Sequence, residues 1–260
     1  MSTPPTEEQP AQEHFDNAIQ APGTDERLWR AWSGWNRLPG AALPRSGRVV
    51  VVAAHPDDEV LGFGGSLALL AASGVDVTLV ILTDGEGSHP HSRSVTPEDL
   101  VRIRAAETEE ALSELGISPA RSVRWGIPDT QVALHEARVG AQLRPLVAGA
   151  DLVVAPWTGD LHGDHEAAGR AALTAARDAG VPCWLYPVWM WHWARPDDPA
   201  VPWHTASRIA LPDHAQSRKR AAIARYVSQI QPLGPDPEDA AILPPEEIAH
   251  HTRNWEVVFR

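Results

Sequence analysis

The stretch Val49-Val50-Val51-Val52-Ala53-Ala54-His55-Pro56-Asp57-Asp58-Glu59 decides how the rest of the chain is read. An unbroken apolar run of this length matches a strand buried on both faces of a parallel sheet. It ends in one imidazole and three carboxylates. Like charges this close repel, and each raises its neighbours' pKa unless a cation neutralises them. The stretch therefore predicts a metal site at the C-terminal end of a strand, with the missing ligands supplied from elsewhere in the chain.

Outward from it, strand and helix patterns alternate. Val60, Leu61, Phe63, Leu67, Leu70 and Ala71 keep helical spacing up to Ser73-Gly74, and 75–83 reads as a second strand ending in Asp84-Gly85-Glu86-Gly87. A strand–helix–strand unit of this kind calls for a right-handed crossover and a parallel sheet. Further on, the pattern predicts a loop over 85–96, a helix from Pro97 to Leu115-Gly116, a strand over 122–125 and a helix over 133–147. A strand over 151–156 and a helix over 166–179 follow. Next comes a strand over 181–189 that Pro182 and Pro187 push toward a sheet edge or limit in length. Beyond a Trp- and Pro-rich stretch, 207–211 reads as a strand, 213–230 as a helix, 232–245 as a loop and 255–259 as a terminal strand. The fold class predicted is α/β, a Rossmann-like three-layer fold with a mostly parallel sheet.

Ahead of this lie two segments expected to stand apart from a single domain at 46–260. Residues 1 to about 24 are rich in Pro, Glu, Gln and Thr and read as a mobile tail. Trp29, Trp32 and Trp35 recur every three residues and read as one face of a short helix packing its indoles on the main body.

Composition narrows the partners. The chain has 260 residues, 43% hydrophobic and 22% charged, ordinary values for a globular protein. Its net charge is −12, from 22 basic and 34 acidic residues, which argues against nucleic acid or anionic membranes as partners. No apolar window is long enough for a membrane span, and the N-terminus has neither a basic nor an apolar signal region, so a cytoplasmic location is expected. Cys183 is the only cysteine; among Val181, Pro182, Trp184 and Leu185 it reads as a buried thiol. Any metal must therefore rest on His, Asp and Glu.

The second dense patch of such residues is Asp160-Leu161-His162-Gly163-Asp164-His165-Glu166, and it too follows a predicted strand. Strand C-termini of a parallel sheet share one edge, so the two patches can meet in space. Taken alone, Asp-Asp-Glu is an ordinary charge cluster at a helix start, favoured by the dipole. An isolated His-x-x-His is an ordinary surface feature. Both placed after parallel strands in one chain point to a shared site. His55, Asp58 and one histidine of the second patch make a set of three N/O ligands, the catalytic rather than the structural zinc arrangement. Zinc acidifies its water and polarises a carbonyl, so amide or ester hydrolysis is the natural chemistry. Asp57 stands beside the ligands as a proton acceptor, and the remaining histidine as an oxyanion stabiliser or acid.

Ala54-His55-Pro56-Asp57-Asp58-Glu59 with His162-Gly163-Asp164-His165 resembles the LmbE-like (PIG-L) family of zinc-dependent N-deacetylases. The resemblance extends over about 47–260 through Thr83-Asp84-Gly85-Glu86, Arg104-x-x-Glu107, Gly126-Ile127-Pro128-Asp129 and Lys219-x-x-Ala222. It implies zinc on His55, Asp58 and His165, with Fe2+ as the other ion to consider. It implies Asp57 as general base, His162 as the transition-state histidine and Asp164 as the residue orienting that imidazole. Arg104 and Asp129 are similar to residues that contact sugar hydroxyls in the family. Gly163 stands where the family often has Pro. The implied activity is removal of an N-acetyl group from an amino sugar or related acetamide. The implied partner is a small N-acetylated molecule, with homo-oligomerisation left open. Two alternatives remain at this level: an amidase acting on a larger thiol or acyl conjugate, and a non-catalytic metal- or sugar-binding Rossmann-like domain. A phosphate-binding turn is disfavoured, because His-Pro-Asp-Asp-Glu occupies the place of a glycine-rich loop and Gly62-x-Gly64-Gly65 falls inside the helix, where it allows close packing. Substrate choice is expected in the Trp-rich 184–203 segment.

Overall fold

The computed structural model describes residues 21–260; the first twenty residues of the tail expected over 1 to about 24 lie outside them. In chain order the helices are α1 (Glu26–Ala31), α2 (Asp58–Ala72), α3 (Pro97–Leu115), α4 (Glu136–Val147), α5 (Gly163–Ala179), α6 (Met190–Trp193), α7 (Asp213–Ile223), α8 (Val227–Ile230) and α9 (Pro245–His251). The strands are β1 (Arg48–Ala53), β2 (Asp76–Thr83), β3 (Ser122–Ile127), β4 (Leu152–Pro156), β5 (Cys183–Tyr186), β6 (Ala206–Ala210) and β7 (Trp255–Phe259). They form one sheet in the order β3-β2-β1-β4-β5-β7-β6. The first five are parallel, whereas β7 runs antiparallel to both its neighbours.

The side chains of β1 show why the sheet must be covered twice. Val50, Val52 and Ala54 point into one core with α4, α5 and the N-terminal tryptophans. Val49, Val51 and Ala53 point into the other, with α2, α3 and α7. A strand apolar at every position has no solvent face, and layers on both sides are the arrangement that buries it. Close approach on the second face depends on small residues in α2: a Cβ on Gly62 would lie 2.1 Å from the Tyr186 ring, and one on Gly65 would lie 2.4 Å from Leu211.

The order of the strands places the site. From β1 the chain moves outward to β2 and β3, then returns to the other side of β1 for β4. The crevice at the C-terminal ends of β1 and β4 is thus a topological switch point, where α/β sheets bind ligands. His55 follows β1 and His162 follows β4. Among the described residues, no helix is long and apolar enough to cross a membrane.

Several elements differ from the pattern read in sequence. α5 starts at Gly163 rather than Glu166, which puts His165 in its first turn and makes His162 its N-cap. β5 is only four residues long and lies between β4 and β7, not at an edge; its flanking prolines limit its length and cost no ladder bond inside it. The helix read over 213–230 is broken at Ala224–Tyr226. There the Tyr226 hydroxyl donates to Glu59, and Glu107 accepts from the Ser228 N–H and hydroxyl. Helix α9 begins at the last residue of the loop expected over 232–245 and fills a stretch for which the pattern gave no element.

The tryptophan segment also breaks. α1 ends before Trp32, whose backbone is extended, and a 3-10 turn over Ser33–Arg37 follows. The bend nests the indoles instead of aligning them. Trp29 is fully buried, meeting Trp191 edge-on at 5.2 Å, while Trp32 packs 4.5 Å from Trp203. Residues 21–24 are held as well: the Thr24 hydroxyl donates to the Ala194 carbonyl at 2.6 Å, and its N–H to that of His192 at 2.8 Å.

Candidate metal centre

His55 and Asp58 sit on the tight turn from β1 into α2. Asp57 between them has φ 130°, a conformation sparsely populated by residues with a Cβ. Thr130 (φ 67°) and Leu161 (φ 59°), also left-handed, flank the same crevice. Each such residue costs about 1–3 kcal/mol and persists only where its surroundings over-determine it. Arg104 does so for Asp57: its guanidinium donates to the Pro56 carbonyl at 2.5 Å, the Asp57 carboxylate at 2.9 Å and the Gly85 carbonyl at 3.0 Å. Glu59, fully buried, accepts from the Asp57 N–H and from Tyr226.

Three donor groups converge above this turn. His55 Nδ1 lies 3.2 Å from His165 Nε2 and 3.5 Å from Asp58 Oδ2, and His165 Nε2 lies 3.2 Å from Asp58 Oδ1. The far nitrogen of each imidazole is tied to carboxylates. His55 Nε2 donates to Asp129 Oδ1 at 3.0 Å and to Asp164 Oδ2 at 3.3 Å, and His165 Nδ1 donates to Asp160 Oδ2 at 2.8 Å. With those nitrogens protonated, the two lone pairs face each other and the Asp58 carboxylate across one small space. Lone pairs repel at that distance unless a proton or a cation lies between them. Bonds of about 2.0–2.1 Å in a tetrahedral site place the ligand atoms about 3.3–3.4 Å apart, close to the separations found. The donor set fits a divalent metal, and carboxylate-tied imidazoles are how such ligands are oriented.

The electrostatics follow from this crowding. Burial acts to raise Asp58, but the His165 and His55 imidazoles outweigh it and hold its carboxyl well below the usual range. Burial acts to lower both imidazoles, yet the surrounding carboxylates hold His55 well above its ordinary value and bring His165 up to about 9. Burial pushes Asp57 up to about 7 against the pull of Arg104. His162 moves the other way: burial and the neighbouring His165 and His55 hold it well below its ordinary value, a neutral ring. Its Nδ1 accepts from the Asp164 N–H at 3.2 Å, so the ring proton is on Nε2.

The structure brings together His55, Asp57, Asp58, His162, Asp164 and His165 on one crevice, and it gives Asp164, Arg104 and Asp129 partners other than those expected. The Asp164 carboxylate, expected to orient His162, is directed to His55 Nε2 and to the Thr130 and Val132 N–H groups; Asp164 meets His162 through its own backbone N–H. The reason is position: in the first turn of α5 the Asp164 side chain faces the end of β3 and the His55 ring. Arg104 and Asp129, expected to contact sugar hydroxyls, are both engaged within the protein, Arg104 with Asp57 and Asp129 with His55 and the Gly87 N–H at 2.9 Å. Both nevertheless line the cavity. Cys183 remains an apolar thiol, pushed up to about 12 by burial.

Asp160 was not singled out in the sequence. Fully buried, it accepts from the Val188, Trp189 and Met190 N–H groups at 2.8–3.2 Å while holding His165. Its position five residues before a ligand histidine, and its acceptor-only side chain in a strand-end turn, were the available signals. The loop it gathers is far off in sequence.

Above the converging donors is a cavity of about 620 Å³. Its floor is His55, Asp57, Asp58, Asp129 and His162; its walls include Pro90, Trp189 and the segment 240–243. The 85–96 and 233–243 segments are tied together around it: Ser92 and Ser94 donate to Asp239, and His89 Nε2 to the Ala240 carbonyl.

Comparison with known proteins places this arrangement. The family model described as PIG-L: GlcNAc-PI de-N-acetylase matches residues 50–176, the span that carries both motifs. The 1D-myo-inositol 2-acetamido-2-deoxy-alpha-D-glucopyranoside deacetylase 1 of Catenulispora acidiphila is 28% identical over 213 residues, 71% of this chain and 64% of that protein. The diacetylchitobiose deacetylase of Thermococcus kodakarensis is 30% identical over 139 residues, 52% of this chain and 51% of that protein. The chain thus spans about half to two thirds of the length of these curated relatives. Among solved structures, the conserved protein TT1542 from Thermus thermophilus is 30% identical, with a TM-score of 0.53 over 70% of this chain and 80% of that one. The zinc inhibited form of teicoplanin deacetylase Orf2 shares the fold, with a TM-score of 0.60 at 20% identity over 82% of this chain and 97% of that one.

Proposed function

From the premise that this chain belongs to the PIG-L, or LmbE-like, family, we propose that it is a zinc-dependent hydrolase that removes the acetyl group from an N-acetylated amino sugar or a closely related acetamide. The observation that carries this reading is the convergence of His55 Nδ1, His165 Nε2 and the Asp58 carboxylate at 3.2–3.5 Å from one another, with the far nitrogen of each imidazole held by carboxylates.

In this reading His55, Asp58 and His165 hold the ion. Once bound, it supplies a Lewis acid toward the acetamide carbonyl and acidifies a water. The protein's own groups do the rest. Asp57, pushed up to about 7 by burial, has the basicity to take the proton of the attacking water near neutral pH. Arg104 fixes the direction of that carboxylate and, being 3% exposed, does so away from bulk solvent. His162 presents an Nε2–H from a neutral ring, a donor suited to the oxygen that gains charge as the carbonyl becomes tetrahedral. Asp57, having taken a proton, can pass it to the departing amine. Asp129 and Asp164 keep His55 in the tautomer that offers Nδ1, and Asp160 keeps His165 in the one that offers Nε2.

Acetate release from a panel of N-acetylated sugars, with the protein metal-loaded and after chelation, tests the reading. Release that needs the ion supports it. No release from any acetamide in the loaded state rejects it, and a longer acid in place of acetate makes the enzyme an amidase of larger conjugates.

A further inference from the structure

A second cavity of about 640 Å³ lies beside the first. The two share Trp189, Ala241 and Ile242 as lining, so these three residues stand between two adjoining spaces. Each volume alone is within the roughly 300–1,000 Å³ of a cavity that encloses a drug-sized molecule, and a single amino sugar bound at the floor leaves the second unfilled. Its walls come from residues 21–26, from Trp189 and His192, and from 241–250, all outside the span 50–176 matched by the family.

The chemistry of those walls is one-sided. Asp25, Glu26, Glu246 and Glu247 line the cavity, and an ionised carboxylate only accepts hydrogen bonds. Among the described residues no Lys or Arg lines it. Glu26 is satisfied by His250 and Arg253, and Glu247 is paired with His192. Glu246 is exposed at the rim and makes no ion pair among the described residues. The first cavity adds Glu238 and only one guanidinium, Arg104, which is already engaged with Asp57. An anionic group on the far end of a substrate would meet Glu246 and Glu238, with no Lys or Arg among the described residues lining either cavity except Arg104.

We propose that this second cavity is a subsite for the non-acetylated part of the substrate. It takes a group rich in hydrogen-bond donors, hydroxyl or ammonium, and discriminates against phosphate or carboxylate. The inference rests on the deacetylase reading for what occupies the first cavity. It puts the choice of substrate on Glu246, Ile242 and the N-terminal segment, in parts of the chain the family motifs do not reach.

The test compares kcat/KM of the full-length, metal-loaded protein for three acetamides: methyl N-acetylglucosaminide, N,N′-diacetylchitobiose and N-acetylglucosamine 1-phosphate. Expected is a preference for the disaccharide over the methyl glycoside of about tenfold, the scale of one or two hydrogen bonds to charged acceptors, and a comparable disfavour of the phosphate. Glu246→Lys lowers the disaccharide-to-methyl ratio about fivefold and raises the phosphate-to-methyl ratio. Ile242→Trp, which adds bulk between the two cavities, removes the disaccharide preference. Ratios unmoved by both variants, or a wild-type preference for the phosphate, overturn the proposal. Calorimetric binding of the same three compounds to metal-depleted protein separates the two readings. If no acetamide is hydrolysed but binding still favours the disaccharide and Glu246→Lys abolishes that preference, the subsite stands and the hydrolase reading falls. If hydrolysis proceeds with all ratios and affinities unaltered in the variants, the subsite falls and the hydrolase reading stands.

Discussion

The floor of the crevice and its walls are built by different means. The floor is a set of imidazoles and carboxylates on strand ends, tied by hydrogen bonds to further side chains: His55 by Asp129 and Asp164, His165 by Asp160, Asp57 by Arg104. The walls are side chains such as Trp189, Ile242 and Leu243, carried on loops between short elements. A floor of this kind fixes a reaction, because ligand geometry tolerates little displacement. Walls of this kind fix a substrate. Asp160 joins the two, accepting from the Val188–Met190 backbone on one side and orienting His165 on the other.

Substitutions sharpen or break this division. The largest effect is expected for His165→Ala, which removes one of the three proposed ligands and leaves the Asp160 carboxylate buried without its imidazole partner. Metal content measured by elemental analysis should fall to background, together with acetate release; retention of a full equivalent of metal would remove His165 from the site. Next is Asp57→Asn, expected to keep the metal and to lower kcat by about 10²–10⁴, the usual contribution of a general base. Undiminished turnover in that variant contradicts the mechanism.

Asp160→Asn tests the joint between floor and walls. In the carboxylate both oxygens accept, one from Met190 and Val188 and the other from Trp189 and His165; in the amide one of these positions becomes an NH2 donor that faces N–H groups it cannot pair with. Metal affinity is expected to drop about 10–100-fold, as for other carboxylates behind a ligand histidine, with a rise in KM as Trp189 shifts. An effect on affinity alone would uncouple the two regions. The smallest effect is expected for Trp189→Ala: unchanged metal binding, with a rise in KM of up to about tenfold, the scale of one lost wall contact, and little change in kcat. A loss of metal in this variant would show that wall and floor are not separable.

The floor was legible in the sequence because its residues are local. His55 to Glu59 and His162 to His165 are two short runs, each announced by the apolar strand before it. Most of the sheet was legible for the same reason: β1 and β4 are apolar at nearly every position, and β2 is apolar from Leu79 to Leu82. Contacts between distant residues were not legible. That the Asp164 carboxylate faces His55 and not His162 depends on where β3 ends. That β5 lies inside the sheet depends on β7, some seventy residues later, pairing along it. The break at Tyr226 is set by Glu59 and Glu107, remote partners whose hydrogen bonds outweigh the helical spacing of 213–230. The bend at Trp32 reflects indole packing against Trp203, which periodicity cannot register.

The central claim is that His55, Asp58 and His165 form a site for one divalent ion, and titration of Zn2+ into metal-free protein at several pH values tests it most directly. The surrounding carboxylates hold His165 up to about 9 and His55 well above its ordinary value, so at neutral pH the ion competes with protons for the facing imidazole nitrogens. The account predicts one ion per chain, release of protons on binding, and an affinity that weakens as pH falls, by up to about tenfold per unit for each proton displaced. Binding that is absent, independent of pH between about 6 and 8, or equally tight in His165→Ala would contradict it.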